Sequence, residues 1–138
     1  MKLLIDTNVV LDILLYRKPY HENAAKIAVL SEKGHISCYV SASAVTDVYY
    51  IAQKELKSKD AAKALLVNLF STFRIAAVSE TSIHEALDLD WDDFEDCVQY
   101  TVGKNMNAEY IITRNAKDFA KSQIIAISPD EFLNMIVS

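Results

Sequence analysis

The chain has 138 residues, of which 51% are hydrophobic and 24% are charged, with only two glycines and two prolines. This composition excludes a disordered or fibrous chain, and the length predicts one domain over residues 1–138 that folds around its own core without a disulfide or a structural metal. The net charge of −5 argues against a generic basic surface for phosphate backbones, so any nucleic-acid function requires positive charge gathered locally or supplied by a metal ion.

Strands and helices are predicted to alternate along the chain. Short, mostly apolar runs typical of strands covered on both faces occupy residues 3–5, 36–40, 75–78, 110–113 and 124–127. Helical spacing of apolar residues predicts helices over residues 23–33, 43 to about 57 with Ser43 as its cap, 59–73, 82 to about 87, 92 to about 104, and 130–136. This alternation predicts an α/β fold: a three-layer α/β/α sandwich with a central, mainly parallel sheet of four to five strands.

The sequence also bears on location. No apolar run approaches the roughly 20 residues of a membrane span, and the first residues lack the basic stretch and long apolar core of a secretory signal. We therefore expect a cytoplasmic protein with no membrane partner.

Acidic residues adjoin the predicted carboxyl ends of several strands. Asp6 comes directly after the first strand, Asp47 lies in the first turns of the helix after the second strand, and Asp118 follows the fourth strand. Three more acids stand at the start of the helix that precedes the fourth strand: Asp93, Glu95 and Asp96. Because the crevice of an open parallel sheet lies beyond the carboxyl ends of its strands, we expect these acids to converge on one edge.

Such a cluster needs a proton or a cation. Two carboxylates about 4 Å apart repel each other by roughly 4 kcal/mol at an effective dielectric constant near 20. Raised pKa values relieve this repulsion, but several acids beside the neutral side chains of Asn8, Thr113 and Asn115 are more typical of an oxygen cage for Mg²⁺ or Mn²⁺. Such ions orient a phosphodiester, ease deprotonation of an attacking water and stabilise the leaving oxygen.

Each acid also has a purely structural interpretation. Asp6 suits the N-cap of a helix that starts near Val9, and Asp93 and Glu95 suit a helix N-terminus. Asp118 suits a turn, and we interpret Asp12 as a solvent-facing or capping residue. The joint placement of the acids, rather than any single one, favours a functional site.

Four segments resemble, in order and spacing, the acidic motifs of PIN domains: DTNVVLDIL from Asp6, VSASAVTD ending at Asp47, DFEDCVQY from Asp93 and YIITRNAKDF ending at Phe119. PIN domains are metal-dependent ribonucleases that include the VapC toxins of bacterial toxin and antitoxin pairs. The motifs are specific in combination, and the resemblance spans nearly the whole chain.

Carried over residue by residue, the resemblance implies that Asp6, Asp96 and Asp118 are metal ligands, the first, third and fourth acids of the family. The second acid is most often Glu, and Asp47 stands at that position, where it is implied to orient a water or a second ion. The implied accessory residues are Asn8, Asp93, Glu95, Thr113, Arg114 and Asn115. Arg114 or a nearby lysine is expected to contact phosphate.

The resemblance implies a Mg²⁺- or Mn²⁺-dependent endoribonuclease that hydrolyses RNA with metal-activated water. It also implies a homodimer and, for a VapC toxin, an antitoxin protein as partner. The alternative is a catalytically weak PIN-like module that binds RNA or protein, which Asp47 in place of Glu favours and the three matching acids oppose. A phosphatase that uses a phosphoaspartate needs a second acid two residues after Asp6, where Asn8 stands.

Overall fold

The structure, a computed structural model, describes residues 1–137. The strands are β1 (Lys2–Ile5), β2 (Ser37–Ser41), β3 (Arg74–Ala76), β4 (Tyr110–Ile112) and β5 (Ile125–Ile127). The helices are α1 (Thr7–Leu14), α2 (His21–Glu32), α3 (Ala42–Leu56), α4 (Lys59–Leu69), α5 (Glu80–Asp88), α6 (Phe94–Asn105) and α7 (Pro129–Val137). A short 3-10 helix, Ala116–Phe119, lies between β4 and β5. All five predicted strands are therefore present within two residues of their predicted bounds.

The strands of residues 1–137 form one parallel sheet in the order β3-β2-β1-β4-β5. The chain adds β2 and β3 on one side of β1 and then returns to place β4 and β5 on the other side. The strand order therefore reverses between β1 and β4, and a crevice opens beyond the carboxyl ends of strands at such a switch point. Asp6 and Thr113 each follow one of these two strands directly.

The central strands are buried on both faces, as their continuous apolar sequence predicts. Leu3 and Ile5 pack into a core with α1, α2 and α3, whereas Leu4 points to the opposite face and packs with α5 and α6. Helical layers on both faces of the sheet confirm the predicted three-layer α/β/α sandwich. Among residues 1–137, no helix is both long enough and apolar enough to span a membrane.

Close contact between α6 and the sheet depends on Gly103. A Cβ atom at this position would lie 3.3 Å from side-chain carbons of both Leu4 and Ile124. The missing side chain lets the helix backbone approach the sheet closely. This contact fixes the helix that carries Glu95 and Asp96.

Several predicted helix boundaries are wrong: α2 and α5 each begin two residues earlier than predicted, and three other boundaries differ for a local reason. α3 is capped by Ser41, whose hydroxyl accepts the backbone N–H of Ser43 at 3.3 Å, so Ser43 lies inside the first turn. α4 ends at Leu69 rather than residue 73, because the chain turns there and the hydroxyl of Thr72 donates to the carbonyl of Leu69. α6 begins at Phe94 rather than residue 92.

Candidate active site

Asp6 occupies the end of β1 and also caps α1. Its Oδ1 accepts the backbone N–H of Thr7 at 2.8 Å and the side-chain amide of Gln99 at 2.9 Å. Its Oδ2 accepts the hydroxyl of Thr113 at 2.8 Å. The carboxylate is 7% exposed and is held by three donors, one from α1, one from α6 and one from the residue directly after β4. The capping role foreseen for Asp6 and its position beside the other acids are thus compatible.

Thr113 connects Asp6 to the loop that carries Asp118. The Thr113 side chain is fully buried, and its hydroxyl accepts the backbone N–H of Asn115 at 3.1 Å. The backbone N–H of Asp118 in turn donates to the carbonyl of Asn115 at 2.9 Å. Through these contacts, the segment after β4 presents Asp118 on the side of the sheet edge where Asp6 lies.

The start of α6 supplies three further acids. Asp93 is the N-cap and accepts the backbone N–H of Asp96 at 2.9 Å, which explains why the helix begins at Phe94. Glu95 and Asp96 lie in the first turn, where negative charge is favourable. Gln99 follows Asp96 by three residues and therefore shares its helix face, which is turned toward Asp6.

These elements enclose a cavity of about 390 Å³ beyond the carboxyl ends of β1 and β4. We call it the acid cavity. Eight residues that the sequence predicted for the site line this cavity: Asp6, Asn8, Asp47, Asp93, Glu95, Asp96, Asn115 and Asp118. Four others complete its lining: Thr7, Tyr50, Ile51 and Gln99. The structure thus brings together all four candidate catalytic acids, although they are distributed over 113 positions of sequence.

Burial and mutual repulsion raise the pKa values of two of these acids. The pKa of Asp96 is raised to about 7, first by burial and then by the nearby carboxylates of Asp93, Asp6, Asp118 and Glu95. The pKa of Glu95 is also raised, first by the charge of Asp47, then by burial and Asp93. Negative charge in the acid cavity is therefore not balanced by the protein.

The oxygen donors of the acid cavity suit a hard divalent cation. Among residues 1–137, however, no three His, Cys, Asp or Glu side chains are arranged closely enough to hold an ion as they stand. Mg²⁺ usually keeps several waters and contacts only one or two carboxylates directly. The donor chemistry and the unbalanced charge therefore fit such an ion, with the remaining acids acting through water.

Two predicted side chains occupy positions that the sequence did not suggest. Asp12 is only 1% exposed, so the prediction that it faces solvent is wrong. Its Oδ2 lies 2.9 Å from Nε of Arg114. The Arg114 guanidinium also stacks over the ring of Tyr20 at 4.0 Å, and Arg114 does not line the acid cavity. Arg114 thus pairs with a buried carboxylate and lies outside the acid cavity.

Gln99 is a site residue that the sequence reasoning missed. Its side chain is 5% exposed, and its Oε1 has no hydrogen-bond partner among residues 1–137. The spacing of three residues from Asp96 was the available signal, because positions i and i+3 share a helix face.

The fold and the site define an α/β protein with an acidic centre at the switch point of its sheet. A family model described as PIN domain matches residues 2–117, and the chain therefore belongs to the PIN domain family. The match ends one residue before Asp118. The chain is also similar to a protein named Ribonuclease VapC1 from Aquifex aeolicus (strain VF5), with 24% identity over 136 residues that cover 95% of this chain and 92% of that protein.

Solved structures show the same fold at low identity. VapBC2 from Rickettsia felis, bound to a DNA fragment from its promoter, has a TM-score of 0.68 and 16% identity, covering 93% of this chain and 98% of the other. VapC20 from Mycobacterium tuberculosis, a toxin that cleaves the sarcin-ricin loop, has a TM-score of 0.67 and 13% identity, covering 86% and 94%. FitAcB from Neisseria gonorrhoeae has a TM-score of 0.67 and 17% identity, covering 92% and 97%.

Proposed function

We propose that this chain is a Mg²⁺- or Mn²⁺-dependent endoribonuclease. The observation that carries the proposal is the convergence of Asp6, Asp47, Asp96 and Asp118 on one cavity, in which the pKa of Asp96 is raised to about 7. A charge cluster of this kind calls for a cation, and membership of the PIN domain family and similarity to a protein named as a ribonuclease support RNA as the substrate.

Asp6, Asp96 and Asp118 are the residues that would hold the ion. When bound, a divalent cation supplies positive charge that lowers the pKa of an attacking water and neutralises charge on the phosphate. The protein residues have separate tasks. Thr113, Gln99 and the backbone of Thr7 fix the orientation of the Asp6 carboxylate, so that its oxygens face the same cavity as Asp96.

Asp47 has a different place in the proposal. It lies on α3, half-buried, close enough to Glu95 to raise the pKa of that side chain. The shorter side chain of Asp, compared with the Glu usual in the family, favours contact through a water or a second ion. We therefore assign Asp47 to the orientation of the attacking water.

We also propose that the chain is the toxin of a VapBC-type pair and forms a homodimer. Two of the similar solved structures are described by name as VapBC2 and as a VapC toxin, and this chain covers more than nine tenths of each. Induced expression of the chain alone should arrest growth, and co-expression of an antitoxin from the neighbouring gene should relieve the arrest.

Cleavage of RNA by the purified full-length chain tests the proposed activity. Cellular RNA and synthetic single-stranded oligonucleotides are incubated with Mg²⁺, with Mn²⁺ or with a chelator. The wild type should cleave only with metal, and Asp6→Asn, Asp96→Asn and Asp118→Asn should each lose about a hundredfold or more of the activity. Asp60→Asn is the matched control, because Asp60 is exposed on α4 and does not line the acid cavity.

Equal activity in all of these proteins would refute the assignment. The second candidate function is a PIN-like module that binds RNA or protein with weak catalysis, and it is favoured by the absence of a ready three-acid group among residues 1–137. Binding of Mg²⁺ or Mn²⁺ by the wild type without cleavage of any RNA would support that candidate.

A further inference from the structure

Two smaller cavities adjoin the acid cavity and share its walls. One of about 190 Å³ is lined by Ala44, Ile83, Phe94 and Val98, and we call it the apolar cavity. The other, of about 160 Å³, includes Trp91, Lys117 and Lys121, and we call it the lysine cavity. The apolar cavity shares Thr7, Asp47, Glu95 and Gln99 with the acid cavity, and the lysine cavity shares Asp93, Asp96 and Asp118 with it. The acid cavity therefore lies between the other two, and we call the row of three adjoining cavities the groove.

The apolar end of the groove exposes an aromatic ring. Phe94 is the first residue of α6 and is 47% exposed, between the acids Asp93 and Glu95. A large apolar side chain left in water beside charged residues contributes little to folding. The neighbouring Ile83 and Val98 belong to the core and give the cavity a fixed apolar wall. Phe94 thus presents a partly exposed ring in the cavity that adjoins the acid cavity.

The opposite end of the groove places two lysines, Lys117 and Lys121, beside the acids, because Asp92, Asp93, Asp96 and Asp118 also line the lysine cavity. Lys117 is exposed on the 3-10 helix and forms no ion pair within residues 1–137, whereas Lys121 donates to the backbone carbonyl of Asp90. Trp91 is packed against Tyr100 and Phe119 with ring centroids 5.1 and 5.9 Å away, which fixes this wall. The groove therefore runs from an apolar end, past the acids, to a lysine end.

We propose that the apolar cavity is a nucleobase subsite in which an unpaired RNA base stacks on Phe94, with Lys117 as the contact for a phosphate on the other side of the cleavage point. This proposal rests on the proposed function and extends it. The net charge of −5 and the acids at the centre disfavour attachment through phosphates alone. Stacking on an aromatic side chain supplies affinity without positive charge, and it requires a base that is not paired.

The apolar and acid cavities adjoin each other, and this adjacency favours RNA over a protein segment as the occupant. A base in the apolar cavity has its own phosphate within the adjoining acid cavity, where the proposed chemistry takes place. The cavity is also small and ends at Asp47 and Glu95, whose charges disfavour an apolar protein side chain that extends further. The occupant that matches both an apolar end and a reactive centre is one nucleotide.

Binding of a labelled 12-nucleotide single-stranded RNA of mixed sequence, measured by fluorescence anisotropy with Mg²⁺, tests the proposal. The full-length chain carries Asp96→Asn so that binding is read without cleavage. Phe94→Ala in this background should weaken binding roughly 5- to 150-fold, which corresponds to about 1–3 kcal/mol of stacking per base. Phe94→Trp should retain binding, and Phe94→Leu should lose most of it, because Leu is apolar but offers no ring.

The matched control is Val67→Ala, which removes an apolar side chain that is 73% exposed on α4 and lines none of the three cavities. It should leave binding unchanged. Lys117→Met should weaken binding and reduce its dependence on salt. The same RNA annealed to its complement should bind more weakly than the single strand, and to a similar degree in the parent and in Phe94→Ala.

Single-strand binding that is equal in the Asp96→Asn parent and in Phe94→Ala would overturn the proposal. A protein side chain would then be the better candidate occupant of the apolar cavity. Equal binding of single strand and duplex would also overturn it. Neither result depends on whether the wild type cleaves RNA. Failure of the proposed nuclease function would appear separately, as absence of metal-dependent cleavage by the wild type.

Discussion

The half-buried guanidinium of Arg114 lies against the buried carboxylate of Asp12, with Nε 2.9 Å from Oδ2 and Nη2 3.3 Å from Oδ1. The Nε–H is not aligned with Oδ2, so this contact is an ion pair rather than a well-formed hydrogen bond. Burial raises the pKa of Asp12, and the charge of Arg114 opposes that rise. The pair ties α1 to the segment after β4, the two elements that carry Asp6 and Thr113 at their ends.

Removal of the arginine should destabilise the fold strongly. Arg114→Met leaves the Asp12 carboxylate buried without its nearest cation, and we expect the free energy of unfolding to fall by about 3–5 kcal/mol in urea titrations. Lys26→Met is the control, because Lys26 and Glu22 form an exposed pair on α2 and its loss should change stability by less than about 1 kcal/mol.

Neutralising the aspartate as well should recover part of that loss. The double variant with Asp12→Asn and Arg114→Met no longer buries an unpaired charge, so it should be more stable than Arg114→Met alone. If Arg114→Met unfolds at the same urea concentration as Lys26→Met, the pair is not a structural tie.

The hydroxyl of Thr113 should support both stability and activity. Thr113→Val removes the donor to Asp6 and the acceptor for the N–H of Asn115, which leaves buried polar groups unpaired. We expect a loss of about 1–3 kcal/mol of unfolding free energy and lower RNA cleavage at equal folded concentration. Thr46→Val is the control, because Thr46 is exposed on α3 and bonds only to its own helix. Wild-type cleavage by Thr113→Val would show that Asp6 does not need this donor.

Asp96 should make the metal-free protein less stable as the pH rises. The pKa of Asp96 is raised in the folded chain to about 7 from its ordinary value of 3.8, so the folded state holds a proton that the unfolded state loses between these values. Stability contributed by the protonated side chain is therefore present at pH 4 and is lost by about pH 7.

The variant Asp96→Asn tests the direction of this change in stability with pH. With a chelator at pH 8 it should be more stable than the wild type by about 1–2 kcal/mol, a value reduced from the full shift because water screens part of the charge. The difference should vanish near pH 4, and Asp60→Asn should show no such dependence on pH. A destabilised Asp96→Asn at pH 8 would mean that Asp96 is a structural partner of a donor rather than one of several repelling acids.

The pKa of Glu95 should respond to the charge of Asp47. Because the charge of Asp47 is the largest cause of the raised pKa of Glu95, Asp47→Asn should move that pKa down toward its ordinary value. Side-chain carboxyl NMR titration of the metal-free chain measures the change. An unchanged pKa of Glu95 in Asp47→Asn would place the two carboxylates further apart in solution, and Asp60→Asn should leave Glu95 unaffected.

The sheet and the convergence of the acids follow from local patterns and one rule of topology. Runs such as residues 3–5 and 110–113 are apolar without alternation, which predicts strands covered on both faces. Carboxyl ends of parallel strands share one edge, so Asp6 and the residues after β4 were expected to meet. The helical position of Asp96 brings it to the same edge.

Pairings between distant side chains did not follow from the sequence. Asp12 and Arg114 are 102 residues apart, and neither has a local pattern that identifies its partner. The sequence did contain one signal for the burial of Asp12. The segment that forms α1 is apolar on nearly all sides, and a helix of this kind is buried. A charged side chain within a buried helix needs a partner. The orientation of Gln99 toward Asp6 likewise depends on how α6 packs on the sheet at Gly103.

Calorimetric titration of the full-length chain with Mn²⁺ tests most directly whether Asp6, Asp96 and Asp118 hold one divalent ion together. The wild type and Asp60→Asn should bind with the same affinity. Asp6→Asn, Asp96→Asn and Asp118→Asn should each bind more than roughly tenfold more weakly, since changes even in the outer shell of a metal site cause losses of that size. Wild-type affinity for Mn²⁺ in all three variants would contradict a shared metal site.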